Sequence, residues 1–245
     1  MKRTLEENSP QRQLALEIEL DVAATFDGFF AESGNEVVAA LRQLSAGIAS
    51  TPLWICGPDG CGKSHLLQAV CRAVSERGGR AMYLPLSDRS RYEPEILQGC
   101  ENMTLLALDD VDAIAGSAVW ESAVFTAVNE FMLNAAPLVL AARAAPREID
   151  FGLADLRSRA RAHVVYRLPA LSDESLEIVV QQRARDRGLT MDVGTTRYLL
   201  RRVPRDMRAL DTWLARLDRA SLASHRRITV ALVRAVLAEF ADETY

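Results

Sequence analysis

Leu53-Trp54-Ile55-Cys56-Gly57-Pro58-Asp59-Gly60-Cys61-Gly62-Lys63-Ser64-His65-Leu66-Leu67 decides the fold of this chain. Four apolar residues run into a glycine-rich turn. Leu66, Leu67, Val70 and Val74 then share one helical face, and Gly78-Gly79 stops that helix. Within this strand–turn–helix, residues 57–64 match G-x-x-x-x-G-K-[ST] at every fixed position. Glycines let the backbone curl so that successive N–H groups point at phosphate oxygens, and the helix N-terminus adds partial positive charge. Gly57, Asp59, Gly60, Cys61, Gly62, Lys63, Ser64 and His65 are the expected cradle for ADP or ATP. Lys63 would neutralise the β- and γ-phosphates, and the Ser64 hydroxyl would ligate Mg2+.

Further along, Ala81-Met82-Tyr83-Leu84, Leu105-Leu106-Ala107-Leu108, Leu138-Val139-Leu140-Ala141 and Val164-Val165-Tyr166-Arg167-Leu168 read as strands. Trp120, Val124, Val128 and Phe131 mark a helix between two of them. Alternating strands and helices imply a parallel sheet flanked by helices, an α/β fold. The third strand ends in Asp109-Asp110, which puts acids beside the phosphate loop. Asp109 is the expected Mg2+ partner, direct or outer-sphere, and Asp110 would orient or deprotonate a water.

After Pro169 only helices are expected. The first starts at the N-cap Ser172 and stops at Gly188; the second spans Thr195 to Arg202. The third carries Met207, Leu210, Leu214 and Leu217. The last begins at Thr229 and groups Val233, Val236, Leu237 and Phe240. The expected organisation is a polar tail at 1–24, an α/β nucleotide-binding domain at 25–169 and a small helical domain at 170–245. In the tail, Leu14, Leu16, Ile18 and Leu20 alternate, as an edge strand or a partner-docking peptide would.

Composition narrows the classes further. Of 245 residues, 49% are hydrophobic and 25% charged, the balance of a chain with a real core. A net charge of −4 argues against a broadly basic nucleic-acid surface. No apolar run approaches the ~18 residues of a membrane span. The N-terminus lacks the apolar core of a signal peptide, so a cytoplasmic location is expected. Cys56, Cys61, Cys71 and Cys100 form no metal spacing and read as reduced, buried thiols. His65, His163 and His225 are far apart and read as surface or capping residues.

The chain resembles the AAA+ ATPases of the bacterial replication-initiator group, and within it the Hda type, DnaA-like regulators that inactivate DnaA. The residues that carry the likeness are Thr25-Phe26-Asp27-Gly28-Phe29-Phe30, the P-loop with Ser64-His65-Leu66-Leu67, Leu108-Asp109-Asp110-Val111 and Asp155-Leu156-Arg157-Ser158-Arg159. Leu217-Asp218-Arg219-Ala220-Ser221 is also similar, and Asp112-Ala113-Ile114-Ala115-Gly116 and Leu171-Ser172-Asp173-Glu174 look Hda-like. The resemblance implies an AAA+ P-loop domain followed by an all-helical lid.

It also implies roles. Arg159 matches the arginine finger that reaches the γ-phosphate held by a neighbour, with Arg157 and Arg161 as competitors. Read without the family, these three arginines are a solvated basic loop. Arg208 matches the lid arginine that reaches back to bound nucleotide. Residues 26–35 resemble the segment lining the adenine pocket, although Phe26, Phe29 and Phe30 read more readily as core. Gln13, Leu14, Leu16 and Ile18 are similar to a peptide that binds the DNA polymerase sliding clamp, with Glu17 where Pro or Phe is usual.

One departure concerns hydrolysis. The polar residue expected at the end of the fourth strand is replaced by Ala141 and Ala142, which hold no water, so stimulation of a partner's ATP hydrolysis is expected over efficient turnover of the chain's own. The implied partners are a DnaA-like initiator and the clamp. DNA would be reached only indirectly, since no DNA-binding domain is expected after Tyr245. Self-assembly is left open. Competing readings are a self-sufficient ATPase acting as a helicase or protein loader, a small-molecule kinase, and a nucleotide-stabilised binding module.

Overall fold

The computed structural model describes residues 20, 24–30, 35–204, 207–224 and 227–240. The alternating tail up to residue 19 and His225 lie outside them. The α/β part runs α1 (Asn35–Ser45), β1 (Leu53–Cys56), α2 (Lys63–Glu76), β2 (Ala81–Pro85), β3 (Leu105–Asp109), α3 (Ala118–Leu133), β4 (Leu138–Ala142), α4 (Ala154–Arg161) and β5 (Val164–Arg167). Short 3-10 turns at Leu86–Arg91, Pro94–Leu97 and Cys100–Asn102 join β2 to β3, and another at Val111–Ile114 follows β3.

The five strands form one parallel sheet in the order β2-β3-β4-β1-β5. β1, β3 and β4 are buried along their whole length, because helices cover both faces. Successive side chains point to opposite faces. Trp54, Leu106, Leu108 and Leu140 therefore join a core with Val124, Val128 and Phe131 of α3 and Leu156 of α4. Leu53, Ile55, Ala107 and Val139 join the opposite core with Leu41 of α1 and Leu66, Leu67 and Val70 of α2. β5 is an edge strand, with Val164 and Val165 exposed.

Four helices follow: α5 (Asp173–Asp186), α6 (Val193–Leu200), α7 (Met207–Ser224) and α8 (Val230–Glu239). They enclose a third core that includes Val180, Leu199, Leu210, Leu214, Leu217 and Val233. Ser172 caps α5 by accepting from the Ser175 N–H at 3.1 Å, and Thr229 caps α8 by accepting from the Leu232 N–H at 3.4 Å. α6 starts at Val193 rather than Thr195, because the Asp192 carboxylate accepts from the Thr195 N–H at 2.6 Å and sets the cap earlier.

Sequence periodicity misses two helices. α1 is one. The other is α4, whose arginines read as a loop without the family; only Leu156 and Ala160 are buried, so its apolar signal is two residues four apart. The four cysteines are free and buried, as expected, and burial pushes the Cys71 thiol up.

His163 departs from the expected surface position. It is buried against Trp54, with ring centroids 6.0 Å apart at 81°. Its Nδ1 donates to the Arg159 carbonyl at 3.0 Å and closes the last turn of α4. Its Nε2 is buried without a hydrogen-bond partner among the described residues. Burial holds the ring neutral, with a pKa of about 4. The unfolded chain therefore takes up this proton first as pH falls. The contribution of His163 is complete above pH ~6.5 and declines toward the folded pKa, by about 1.4 kcal/mol per pH unit. Urea midpoints of the unchanged chain should fall between pH 6.5 and 5, and His163→Gln should lack most of that slope.

Candidate nucleotide site

The P-loop crosses from β1 to α2 with the backbone its glycines allow. Gly60 has φ +78 and Gly62 φ +99, left-handed values that other residues rarely adopt. A Cβ on Gly62 would lie 2.5 Å from the Phe29 ring, and one on Gly57 would lie 2.4 Å from the Leu168 carbonyl oxygen. Phe29 therefore packs against the loop, and its ring centroid lies 5.9 Å from that of His65. His65 Nε2 donates to the Thr25 carbonyl at 2.7 Å, tying the segment before α1 to the start of α2. Phe26 packs on the same core, with the Arg42 guanidinium 5.0 Å from its ring centroid.

Lys63 is buried, and its Nζ donates to the carbonyls of Gly57 at 2.7 Å and Pro58 at 2.9 Å. These bonds hold the ammonium inside the curl of the loop. Cys61 lies behind it, with Sγ 4.0 Å from Nζ. Asp109 is buried at the end of β3 and is hydrogen-bonded to Ser64. Its Oδ2 accepts from the Tyr83 hydroxyl at 2.9 Å and its Oδ1 from the Asp110 N–H at 3.0 Å. Burial, with the nearby Asp110 charge, raises the Asp109 pKa against these bonds. Asp110 has φ +52, a left-handed turn that directs the chain out of the sheet.

A cavity of about 410 Å³ opens over the loop. Its floor is Asp59, Gly60, Gly62, Lys63, Ser64 and His65. Asp110 and Arg143 close one side, and the lid contributes Arg183, Met207 and Asp211. Gly57, Cys61 and Asp109 are not part of this lining: they support it from beneath. The curled glycine backbone, an inward ammonium and a hydroxyl–carboxylate pair suit the phosphates and cation of a nucleotide.

The structure adds residues that the sequence did not single out. Tyr83 holds Asp109 across adjacent strands, a pairing that depends on β2–β3 register. Arg183 of α5 ion-pairs with Asp211 of α7, which also accepts from Arg187 at 3.1 Å. The one available signal was two arginines four apart on a helix, Arg183 and Arg187. Arg208 follows Met207 in α7, but its side chain lies outside the described residues, as do Gln13, Leu14, Leu16 and Ile18.

Arg159 is on α4, and it does not line the cavity. Among the described residues no carboxylate pairs with it, whereas Arg157 Nη1 lies 3.8 Å from Asp150 Oδ1. Arg161 lines, with Arg147 and Arg157, a separate surface hollow.

The approach to α4 is fixed by Glu121 of α3, which is buried. Its carboxylate accepts from the N–H groups of Gly116 at 2.8 Å, Gly152 at 3.1 Å and Leu153 at 2.6 Å. Burial opposes its charge, yet these donors hold its pKa below the ordinary carboxylate range. Glu121→Ala should cost about 3 kcal/mol or more, because it leaves buried donors unpaired. Chemical denaturation measures this; a change under 1 kcal/mol would show that the donors find other partners.

Residues 20–167 match the family described as the bacterial DnaA ATPase domain, and residues 173–237 match the Hda lid domain. Domain III of the Thermotoga maritima replication initiation protein DnaA is similar in structure at 20% identity, over 90% of this chain and 98% of that one, with a TM-score of 0.74. AMPPCP-bound DnaA from Aquifex aeolicus is similar at 21% identity, over 80% of this chain and 65% of that one, with a TM-score of 0.65. The Thermotoga maritima RuvB Holliday junction branch migration motor shares the fold at 14% identity, over 89% of this chain and 72% of that one, with a TM-score of 0.63. Among the described residues, no helix is long and apolar enough to cross a membrane. With its P-loop, its five-stranded parallel sheet and its helical lid, this chain belongs to the DnaA-related AAA+ family and is of the Hda type.

Proposed function

We propose that this protein is a negative regulator of replication initiation that acts on a DnaA-like initiator. It binds ADP or ATP with Mg2+ at its P-loop and docks on the DNA-loaded sliding clamp through residues 13–18. It then supplies Arg159 to the ATP held by the initiator. Lys63, with the backbone N–H groups of residues 60–64, binds the phosphates. Ser64 and Asp109 serve the cation, and Asp110 faces the water side. Arg208 reads the nucleotide from the lid, and Gln13, Leu14, Leu16 and Ile18 form the clamp-binding peptide.

The observation that carries this reading is the setting of Arg159. It projects from a helix anchored at both ends, by the Glu121 network and by His163, yet it faces no carboxylate among the described residues and does not line its own cavity. A positioned cation without a local counter-charge suits an anion brought by another molecule. Ala141 and Ala142 are buried at the end of β4 and offer no side-chain hydrogen bond to a water, which favours hydrolysis at the partner's site over this one.

The test is a reconstituted assay with ATP-loaded DnaA, clamp loaded on DNA, and this protein. Initiator ATP should be lost only when clamp and this protein are both present, and deletion of residues 13–18 should remove the effect. ATP that persists in the complete mixture would overturn the reading. Fast turnover by this protein alone, stimulated by single-stranded DNA, would favour a self-sufficient helicase or loader instead.

A further inference from the structure

One ion pair in the nucleotide cavity has no part in phosphate binding as described above. Arg143 Nε donates to Asp59 Oδ1 at 3.0 Å, and both residues line the cavity with Lys63, Ser64 and Asp110. Asp59 is in the variable part of the P-loop, directly after β1. Arg143 is the first residue past β4, whose Ala142 is in register with Cys56 at the end of β1. Two neighbouring strands thus deliver a carboxylate and a guanidinium to one edge of the cradle. The Arg143 N–H donates to Asp112 Oδ1 at 3.1 Å, which fixes where the arginine side chain begins. The pair is open to solvent, at 66% and 61% side-chain exposure, so it adds little to stability. Its position beside bound phosphate is what matters.

We infer that Asp59 and Arg143 gauge the terminal phosphate and make the site prefer a nucleoside diphosphate to the triphosphate. This rests on the reading of the cavity as a nucleotide site and names what selects its ligand. With a diphosphate the pair stays closed, and the Asp59 charge is compensated. A γ-phosphate brings further negative charge to the side where Asp110 and Arg143 converge, and it competes with Asp59 for the guanidinium. When Arg143 turns to the phosphate, Asp59 faces an anion uncompensated, and like charges in a confined site oppose binding. Asp59 therefore acts against the triphosphate, and Arg143 moderates that action. A residue in the loop's variable part sets the ligand, while the fixed positions hold what all nucleotides share.

The experiment measures dissociation constants for Mg-ADP and Mg-ATP by titration calorimetry. It uses the unchanged chain, Asp59→Asn, Arg143→Ala and the double variant. The unchanged chain should bind ADP more tightly than ATP. Asp59→Asn should strengthen ATP binding about tenfold while ADP stays within about threefold, since only the triphosphate meets the lost charge. Arg143→Ala should weaken ATP about tenfold more than ADP, and the double variant should recover most of that loss, the non-additivity of a direct pair. Asp59→Asn is nearly isosteric and exposed, so it decides the outcome even where Arg143→Ala fails to fold. An ATP-to-ADP ratio unmoved by Asp59→Asn overturns the inference and leaves the nucleotide site standing. Failure of the unchanged chain to bind either nucleotide overturns both.

Discussion

Arg159→Ala is expected to lower clamp-dependent hydrolysis of initiator-bound ATP by about 10³-fold or more, the range over which arginine fingers act. The transferred phosphoryl group spreads its charge over several oxygens, and a planar guanidinium meets two of them at once. Arg159→Lys should therefore recover only a small part of the rate. Arg157 lies near Asp150 and should matter far less, so Arg157→Ala is the matched control. Stability should be unchanged in Arg159→Ala, because the interaction that orders this turn is made by the Arg159 backbone carbonyl and not by the guanidinium. Single-turnover decay of labelled ATP preloaded on the initiator is the measurement. Equal rates with the unchanged protein and with Arg159→Ala would sink the finger, and a loss confined to Arg157→Ala or Arg161→Ala would move it along the helix.

Lys63→Ala should weaken this chain's own nucleotide binding by about 100-fold or more. Two effects add. The ammonium that neutralises phosphate is lost. The carbonyls of Gly57 and Pro58, now satisfied by Nζ, would also point unpaired into the site. Lys63→Arg should not restore affinity, since the larger, forked guanidinium must enter a space lined by loop backbone and Cys61. Fluorescent ADP titration reads the loss directly. An affinity within threefold of the unchanged chain would mean that nucleotide binds away from the P-loop. If bound nucleotide also orders the lid, Lys63→Ala should reduce partner hydrolysis while leaving clamp docking intact.

Much of the site was legible in order along the chain. Residues 57–64 carry fixed glycines at the left-handed turns, a lysine the loop can wrap, and a hydroxyl at the helix start. Asp109 was legible because an apolar strand that ends in acid has one edge on which to place it. Less legible was which residues meet the ligand. Asp109 and Cys61 were expected in the cradle and instead support it from below, while Arg183 and Asp211 approach from a lid more than a hundred residues away in sequence. His163 shows the same limit: a histidine beside basic residues reads as surface, and only the packing of α4 on β1 buries it against Trp54.

What the sequence determined by itself are the properties set by neighbours along the chain. These are the five strands, the P-loop, the caps at Ser172 and Thr229, and the change to helices after Pro169. Backbone conformation and apolar period are local, so a few adjacent residues suffice to specify them. Tertiary structure alone decided the strand order β2-β3-β4-β1-β5, the support of Asp109 by Tyr83, the Glu121 hub beneath α4 and the meeting of Arg143 with Asp59. Each joins residues far apart in sequence, and each depends on register and crossover packing. Local pattern cannot encode these, because the same residues would satisfy the same periods in any other strand order.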